Sequence, residues 1–227
     1  MGKTANNDAK IQKIVRKRLI RWYDDQGRRF PWRKTNDPYK ILIAEILLRR
    51  TTATAVSRIY NSFLKRFENP TRLARAKEST IACSLSSLGL QSVRSRQLRK
   101  MASVIVKQHS GNIPRSSTDL LALPGVGAYI ASAVRNFAFG HPVPLVDGNI
   151  VHFISRVFGI EFTGQADLGA WDFMTSFGDK NQDAKLYWGI IDLVALVCLR
   201  QRPKCSMCPL SEVCKYPYKG DNSVANT

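Results

Sequence analysis

The chain has 227 residues, of which 44% are apolar and 23% charged, so it is long enough and apolar enough to fold around its own core. Its 35 lysine and arginine residues outnumber 17 acidic residues and give a net charge of +18, which favours a polyanion such as nucleic acid as partner over a merely solvated basic surface. No apolar run is long enough to span a bilayer and the N-terminus lacks a signal-peptide pattern, so we expect an intracellular protein of the cytoplasm or nucleoid, without a membrane partner.

Apolar residues recur at helical spacing through most of the chain, and convincing strand alternation is absent. The fold class that this pattern predicts is all-α. The predicted helical segments lie, in chain order, at about 11–22, 41–48, 56–64, 93–107, 128–139, 149–158 and 184–198. The polar stretches before Lys10 and after Lys215 are expected to be loose tails.

Glu45 is an acid inside an otherwise apolar helical segment that runs from Ile41 to Leu48. An ion pair with Arg49, four residues later on the same helix face, would explain it structurally. A second interpretation is a carboxyl whose pKa is raised by burial, and which can donate a proton or hydrogen bond to a departing base. The residues alone leave both interpretations open.

The segment Leu123-Pro124-Gly125-Val126-Gly127 lies between a short apolar segment and a helix that begins near Ala128. It has the form of a helix-hairpin-helix turn, in which two glycines let the backbone approach a phosphate and the next helix offers free N–H groups. An ordinary turn between two helices explains a Pro-Gly-x-Gly sequence about as well.

Asp147 lies in Val146-Asp147-Gly148-Asn149, directly before a helix with an apolar face. The simplest interpretation is a turn residue or the N-cap of that helix, and Asn149 is then a residue of the helix start. A carboxylate at a helix N-terminus is also suited to face a sugar that becomes cationic.

Four cysteines follow the last predicted helix with the spacing Cys198-x6-Cys205-x2-Cys208-x5-Cys214. Because thiols stay reduced inside cells, this spacing indicates a metal site rather than disulfides. Zinc sites usually show two close pairs, whereas only Cys205 and Cys208 form such a pair here. The fifth cysteine, Cys83, stands alone and is expected to be a small buried side chain.

Together these motifs resemble the endonuclease III and adenine DNA glycosylase superfamily, and within it most the archaeal-type G/T-mismatch thymine DNA glycosylases. The resemblance runs from Phe30-Pro31-Trp32-Arg33 to Cys214. It implies two helical subdomains with the DNA cleft between them, one 4Fe-4S cluster held by the four cysteines of the C-terminal loop, and a monovalent cation at the hairpin. It also implies that Asp147 is the essential catalytic carboxylate, that Glu45 is catalytic and that Asn149 assists Asp147.

Three differences separate the chain from the adenine glycosylases that it resembles. Arg49-Arg50 stands in place of a glutamine pair, Trp188 stands where a base-contacting glutamate is expected, and the chain ends soon after the cysteine loop. Tyr129 replaces the lysine with which bifunctional relatives attack the sugar. Since tyrosine cannot form a Schiff base, we expect a base to be excised without an efficient lyase step.

The resemblance also implies which residues contact DNA. Arg50 and Gln91 are expected to enter the duplex beside a flipped base, although both could equally be surface residues. The remaining expected contacts are hairpin residues Leu123, Gly125 and Gly127, cysteine-loop residues Arg202 and Lys204, and a base pocket of Trp32, Arg33 and Trp188.

The predicted domains are a loose tail at 1–9, a helical domain with the hairpin at 34–146, a cysteine-cluster domain at 10–33 plus 147–215, and a second tail at 216–227. The predicted activity is hydrolysis of the N-glycosidic bond of thymine or uracil opposite guanine, by a monomer acting on mismatched duplex DNA. The alternatives are an adenine-type mismatch glycosylase, an endonuclease for damaged pyrimidines, and a protein that binds mismatches without catalysis.

Overall fold

The computed structural model describes residues 2–180 and 182–217, and all regular elements in these ranges are helical. The all-α prediction is therefore confirmed for these residues. The α-helices are α1 (Gly2–Gln26), α2 (Pro38–Leu48), α3 (Ala53–Arg66), α4 (Pro70–Arg75), α5 (Glu78–Ser84), α6 (Gln91–His109), α7 (Ser117–Ala122), α8 (Ala128–Phe137), α9 (Gly148–Phe158), α10 (Leu168–Phe177) and α11 (Ala184–Leu196). Short 3-10 turns lie at Pro31–Arg33, Ser86–Leu88 and Cys205–Met207.

The chain forms two compact units, of which the first joins Met1–Arg28 to Pro144–Thr227. In this terminal unit, α1 packs against α10 and α11, and α11 packs against α9. Asp192 of α11 is fully buried and accepts hydrogen bonds from Arg28, from its backbone N–H at 2.7 Å and from Nε at 2.8 Å. Because a buried carboxylate needs such partners, this pair ties the end of α1 to α11.

The second unit comprises Arg29–Val143 and is built around α2. Helix α2 is buried on all sides from Ile41 to Leu47 and contacts α3 and α8, which explains why its sequence lacks a polar face. Its first turn is capped by Asp37, which accepts hydrogen bonds from the N–H groups of Tyr39 and Lys40. Helix α6 packs against α4 and α5 in the same unit, and α7 packs against α8.

The unit boundaries differ from those predicted at 34 and 146. The segment that follows Arg28 belongs to the central unit, because Trp32 stacks on Phe30 with ring centroids 4.7 Å apart and meets the edge of Tyr60 at 5.3 Å. At the other boundary, Leu145 and Val146 are buried in the terminal unit. Because Trp32 contacts Tyr60, which lies far along the sequence, periodicity could not place this boundary.

The predicted loose tail at 1–9 was wrong for residues 2–9, because α1 begins at Gly2. Once a helix is nucleated by an amphipathic segment, each preceding residue adds a hydrogen bond at little cost. Of the second predicted tail, 216–227, residues 218–227 lie outside the described part of the chain. Among the described residues, no helix combines the length and the apolar character needed to cross a membrane.

Candidate functional site

Asp147 is the N-cap residue of α9, as the capping interpretation predicted. Its Oδ1 accepts hydrogen bonds from the backbone N–H groups of Asn149 and Ile150, each at 2.9 Å. Its Oδ2 accepts a hydrogen bond from the Asn149 side chain at 3.0 Å. Asn149 therefore contacts the carboxylate with both its backbone and its side chain, and the carboxylate is held in one orientation at the positive end of the helix.

Different parts of the surroundings of Asp147 shift the pKa of its carboxyl in opposite directions. Burial raises the pKa of the Asp147 carboxyl above its ordinary value, while the hydrogen bonds from Ile150 and Asn149 and the charge of Arg200 lower it. Burial has the largest effect, so the ionised form is held at a cost in free energy. A carboxylate that is costly to ionise and well oriented is a candidate for chemistry with a cationic partner.

One side of α9 is hydrogen-bonded to the start of the cysteine loop. The carbonyl of Gly148 accepts a hydrogen bond from Arg200 Nη2 at 3.0 Å, and His152 Nε2 donates to the carbonyl of Cys198 at 3.0 Å. Arg156 donates to the carbonyls of Leu199 and Arg200, each at 2.8 Å. Because these contacts recur every four residues along α9, the loop is held alongside the helix that Asp147 caps.

Sequence reasoning missed His152 and Arg156 as parts of this site. The signal that could have found them is their spacing: Gly148, His152 and Arg156 are four residues apart and share one face of α9. That face is polar, whereas the buried face carries Ile150 and Phe153. A polar stripe is usually solvated, so its contact with a loop some forty residues later shows only in three dimensions.

The four loop cysteines line a single cavity of about 390 Å³ in the terminal unit. Apolar walls come from Val157, Leu193 and Val197, and Arg156 Nη1 lies 3.9 Å from Cys198 Sγ. Burial raises the pKa of the Cys208 thiol to about 11 and also raises the pKa of the Cys198 and Cys214 thiols. Among the described residues, no three His, Cys, Asp or Glu side chains form a group that could hold a metal ion.

Cys83, in contrast, lies on the exposed side of α5, so its predicted burial was wrong. The buried positions of that segment are Ile81 and Leu85, which are placed on the other side of the helix. A lone cysteine has no spacing pattern that would show which face of a short helix it occupies.

Glu45 of the central unit is 7% exposed and belongs to the buried stretch of α2. Nearby Tyr60 donates a hydrogen bond from its hydroxyl to the carbonyl of Lys40 at 2.8 Å. Burial raises the pKa of Tyr60, and the charges of Asp37 and Glu45 raise it further. The structure therefore places a carboxyl group inside an apolar helix beside an aromatic cluster, where it acts on a neighbouring group through a medium of low dielectric constant.

Two of the predicted base-pocket residues also belong to this unit. Trp32 is 5% exposed and is part of the stack with Phe30, so its ring is mostly covered by protein. The Arg33 guanidinium lies 5.2 Å from the centroid of the Phe30 ring. The third predicted residue, Trp188, belongs to the terminal unit, where it is half-buried on α11 with its ring 6.0 Å from that of Tyr23.

The hairpin turn joins α7 to α8. Gly125 has a φ of +86°, at which a residue with a side chain would be strained, and a Cβ added there would displace the end of the Gln97 side chain. Gly127 is exposed and precedes α8, and Tyr129 is half-buried against the core at the second position of that helix. Leu123 is only 2% exposed, so its side chain belongs to the core and only its backbone is placed to contact a ligand.

The predicted duplex-contacting residues Arg50 and Gln91 are both exposed. Arg50 follows the C-cap of α2 and has a left-handed φ of 53°. Gln91 is the first residue of α6 and follows Leu90, which is 56% exposed and has a φ of 51°. An exposed leucine in a left-handed conformation is unusual, and its strain is accepted only where the surrounding structure holds it.

Cysteine-loop residues Arg202 and Lys204 are also exposed, as a contact with a polyanion requires. Arg202 has a left-handed φ of 51°, and the N–H of Lys204 donates to the carbonyl of Val197 at 2.9 Å. That bond closes the loop back onto the end of α11.

Comparison with known proteins identifies the family. The family profile described as "HhH-GPD superfamily base excision DNA repair protein" matches residues 43–167, which include Glu45, the hairpin and Asp147. The chain is 39% identical to the thymine-DNA glycosylase of Aeropyrum pernix, over 91% of this chain and 95% of that protein. It belongs to the HhH-GPD superfamily.

Two further HhH-GPD comparisons extend this result. The thymine/uracil-DNA glycosylase of Pyrobaculum aerophilum is 39% identical over 88% of this chain and 90% of that protein. The solved structure of a thermostable thymine-DNA glycosylase matches with a TM-score of 0.86 and 35% identity, over 91% of this chain and 96% of the other. Both matches cover a larger share of the chain than the profile, which spans residues 43–167.

Proposed function

We propose that this HhH-GPD protein is a monofunctional DNA glycosylase that hydrolyses the N-glycosidic bond of thymine or uracil mispaired with guanine. The proposal is supported by relatives of similar length that are named thymine- or thymine/uracil-DNA glycosylase. A wobble-paired base is a favourable substrate, because flipping it out of the duplex requires less free energy than flipping a correctly paired base.

The observation that carries the proposal is the Asp147 carboxylate, held at the N-terminus of α9 by Asn149 and Ile150. As the bond from the sugar to the base breaks, its electron pair leaves with the base and the sugar becomes cationic. Asp147 stabilises or transiently captures that cation. At about 4 Å and an effective dielectric constant near 20, such a charge pair is worth roughly 4 kcal/mol.

Glu45 is proposed to act on the departing base, by donating a hydrogen bond or a proton to an oxygen of the pyrimidine. Its side chain is only 7% exposed, so this contact with the base would be made largely away from bulk water. Water then adds to the sugar, its proton is lost to the surroundings, and an abasic site remains. Tyr129 shapes the pocket and cannot form a Schiff base, so the sugar-phosphate backbone stays intact.

The four thiols of the C-terminal cavity fit the 4Fe-4S cluster implied by the spacing of the cysteines. All four thiols line one cavity of about 390 Å³, which has room for a multinuclear group. A cluster held by Cys198, Cys205, Cys208 and Cys214 would keep these sulfurs as thiolates and cross-link the loop. We assign it no step in the reaction.

Duplex DNA is the proposed partner, in keeping with the net charge of +18 and the exposed Arg50, Gln91, Arg202 and Lys204. The hairpin glycines are proposed to offer backbone N–H groups to a phosphate. A monomeric state, an intracellular location and a monovalent cation at the hairpin stay predictions.

The test uses four duplexes that carry G/T, G/U, adenine opposite oxidised guanine, or thymine glycol. Purified protein is incubated with each, and strand cleavage is compared with and without alkali. Cleavage of G/T and G/U only after alkali is expected, since alkali breaks the strand at an abasic site. Cleavage confined to adenine opposite oxidised guanine, strand cleavage without alkali, or no cleavage at all would each overturn the proposal.

A further inference from the structure

Arg94 occupies a position in α6 where an apolar residue is expected. It shares a helical stripe with Leu98, Met101 and Ile105, all of which are fully buried. Arg94 itself is only 6% exposed. Because burying a guanidinium is costly unless its donors are used, this arginine needs a specific partner.

Its partners are the end of α2 and the turn that follows. Nη1 donates to the carbonyl of Leu47 at 3.1 Å and to that of Ile46 at 3.4 Å. Nη2 donates to the carbonyl of Arg49 at 2.6 Å and to the Thr51 hydroxyl at 2.6 Å. The last carbonyls of a helix lack their usual partners within it. Arg94 binds the Leu47 carbonyl and adds a second donor to the Ile46 carbonyl, which also accepts the N–H of Arg49.

These contacts enclose Arg50. The residue before it offers its carbonyl to Arg94 and the residue after it offers its hydroxyl, while Arg50 itself has a left-handed φ of 53° and an exposed side chain. A left-handed conformation of a residue with a long side chain persists only when its neighbours are held in place. Arg94 supplies that restraint on both sides.

The start of α6 lies beside other exposed segments of this unit. Leu90 precedes the helix and Gln91 is its first residue. Gln97, three residues after Arg94, packs against Gly125 of the hairpin. Arg49 Nη1 donates to the carbonyl of Gly125 at 3.1 Å. The turn after α2, the start of α6 and the hairpin are therefore held to one another through the buried side of α6.

We propose that Arg94 is a positioning residue, which holds the turn after α2 so that Arg50 is presented to the duplex beside the mispaired base. The inference deepens the proposed function and rests on it. Arg94 acts through Arg50, and no contact of Arg94 with DNA is required. Its fork of donors is suited to this task, because one planar group reaches several oxygens at once.

The test is a double-mutant cycle of Arg94→Met with Arg50→Ala, read as the single-turnover rate of uracil excision from a G/U duplex. Arg94→Met keeps the length of the side chain and removes its donors. The matched control is Arg99→Met, which removes the same charge from an exposed position of the same helix, where Arg99 pairs with Glu78. Thr51→Val, which removes one acceptor of Arg94 and keeps the side-chain shape, serves as the milder variant if Arg94→Met does not fold.

We expect Arg94→Met and Arg50→Ala each to lower the rate roughly tenfold or more, and the double variant to be no slower than the slower single variant, because coupled residues are not additive. Arg99→Met is expected to stay within about twofold of the wild type. Arg94→Lys is expected to restore only part of the loss, since one ammonium cannot reach all four oxygens. Thr51→Val is expected to slow excision less than Arg94→Met and to be non-additive with Arg50→Ala.

Rates that multiply in the double variant to within about twofold would assign Arg94 a structural role alone and overturn the inference. A second measurement uses 2-aminopurine placed beside the mispair, whose emission rises when its neighbours unstack on binding. Wild type is expected to raise the emission, and both Arg94→Met and Arg50→Ala are expected to lose that rise. If the wild type excises no base, the proposed function fails, and equal emission from wild type and Arg94→Met would reject the inference separately.

Discussion

The N-termini of α9 and α10 use the same capping chemistry in different surroundings. Asp147 accepts hydrogen bonds from N–H groups in the first turn of α9, and Asp167 accepts a hydrogen bond from the N–H of Gly169 in α10 at 2.9 Å. Burial raises the pKa of Asp147, whereas hydrogen bonds from the backbone and side chain of Thr163 lower the pKa of the Asp167 carboxyl. The capping motif is therefore the same at both helix starts, and the surroundings of the two carboxyls shift their pKa values in opposite directions.

The largest expected effect is on the excision rate, when the charge of Asp147 at the start of α9 is removed; removing the charge of Asp167 at the start of α10 should have no such effect. Asp147→Asn should lower the single-turnover excision rate about 10³-fold, since a charge pair worth roughly 4 kcal/mol is lost at the cationic sugar. Asparagine is as good an N-cap as aspartate, so α9 should still form and the variant should not lose stability. Asp167→Asn is the matched control and should keep the wild-type rate; an active Asp147→Asn variant would refute the assignment.

The next effect tests whether the cysteine loop supports the α9 site. Cys208→Ser should lose most of the bound iron and slow excision roughly tenfold or more, because Arg200 and the loop backbone would no longer be held against α9. Iron and acid-labile sulfide are measured per chain, together with the excision rate. Cys83→Ser removes an exposed cysteine and should keep both at wild-type levels. Unchanged iron in Cys208→Ser would contradict the cluster assignment.

A smaller effect is expected from Arg200, whose charge lowers the pKa of Asp147. Asp147 must be ionised to act, so the rate falls as the pH drops through its pKa. Arg200→Ala raises that pKa, which should move the acidic limb of the kcat/KM profile to higher pH. At neutral pH the loss should be roughly two- to fivefold, since an exposed charge contributes up to about 1 kcal/mol.

Arg202→Ala is the control for this prediction, because it removes the same charge from the same exposed loop. It should lower DNA affinity and leave the position of the acidic limb unchanged. A profile of Arg200→Ala that is shifted no more than that of Arg202→Ala would show that Arg200 acts on binding alone.

Local patterns predicted the parts of the structure that depend on neighbouring residues. The four cysteines, which their spacing predicted to share one loop, line one cavity, and Asp147-Gly148-Asn149 correctly indicated an N-cap, because both features depend on residues close in sequence. The catalytic roles of Asp147 and Glu45 stay predictions.

Local sequence patterns did not predict contacts between residues that are far apart in the chain. Nothing near Arg94 indicates its bonds to the end of α2, and nothing near Arg156 indicates the cysteine loop. The apolar stripe of α6 did contain a signal, since an arginine takes a position otherwise filled by Leu98 and Met101. A charged residue on a buried stripe predicts that a partner exists, and only the fold shows which partner it is.

The smallest expected effect is on the pH dependence of folding stability, which should differ between the two capping residues Asp147 and Asp167. The folded-state pKa of Asp147 is raised, so the wild type loses stability as pH rises from the unfolded-state pKa to the folded-state pKa. The folded-state pKa of Asp167 is lowered, so its contribution is present above the unfolded-state pKa and is lost as pH falls through the folded-state pKa. At neutral pH the melting temperature of Asp147→Asn should lie a few degrees above that of the wild type, and at acidic pH this difference should be smaller. The melting temperature of Asp167→Asn should lie slightly below that of the wild type at neutral pH and equal it at acidic pH. Thermal melts of the three proteins across this range check the prediction, and differences of the same sign for both variants would show that the two carboxyls do not differ in the way their surroundings indicate.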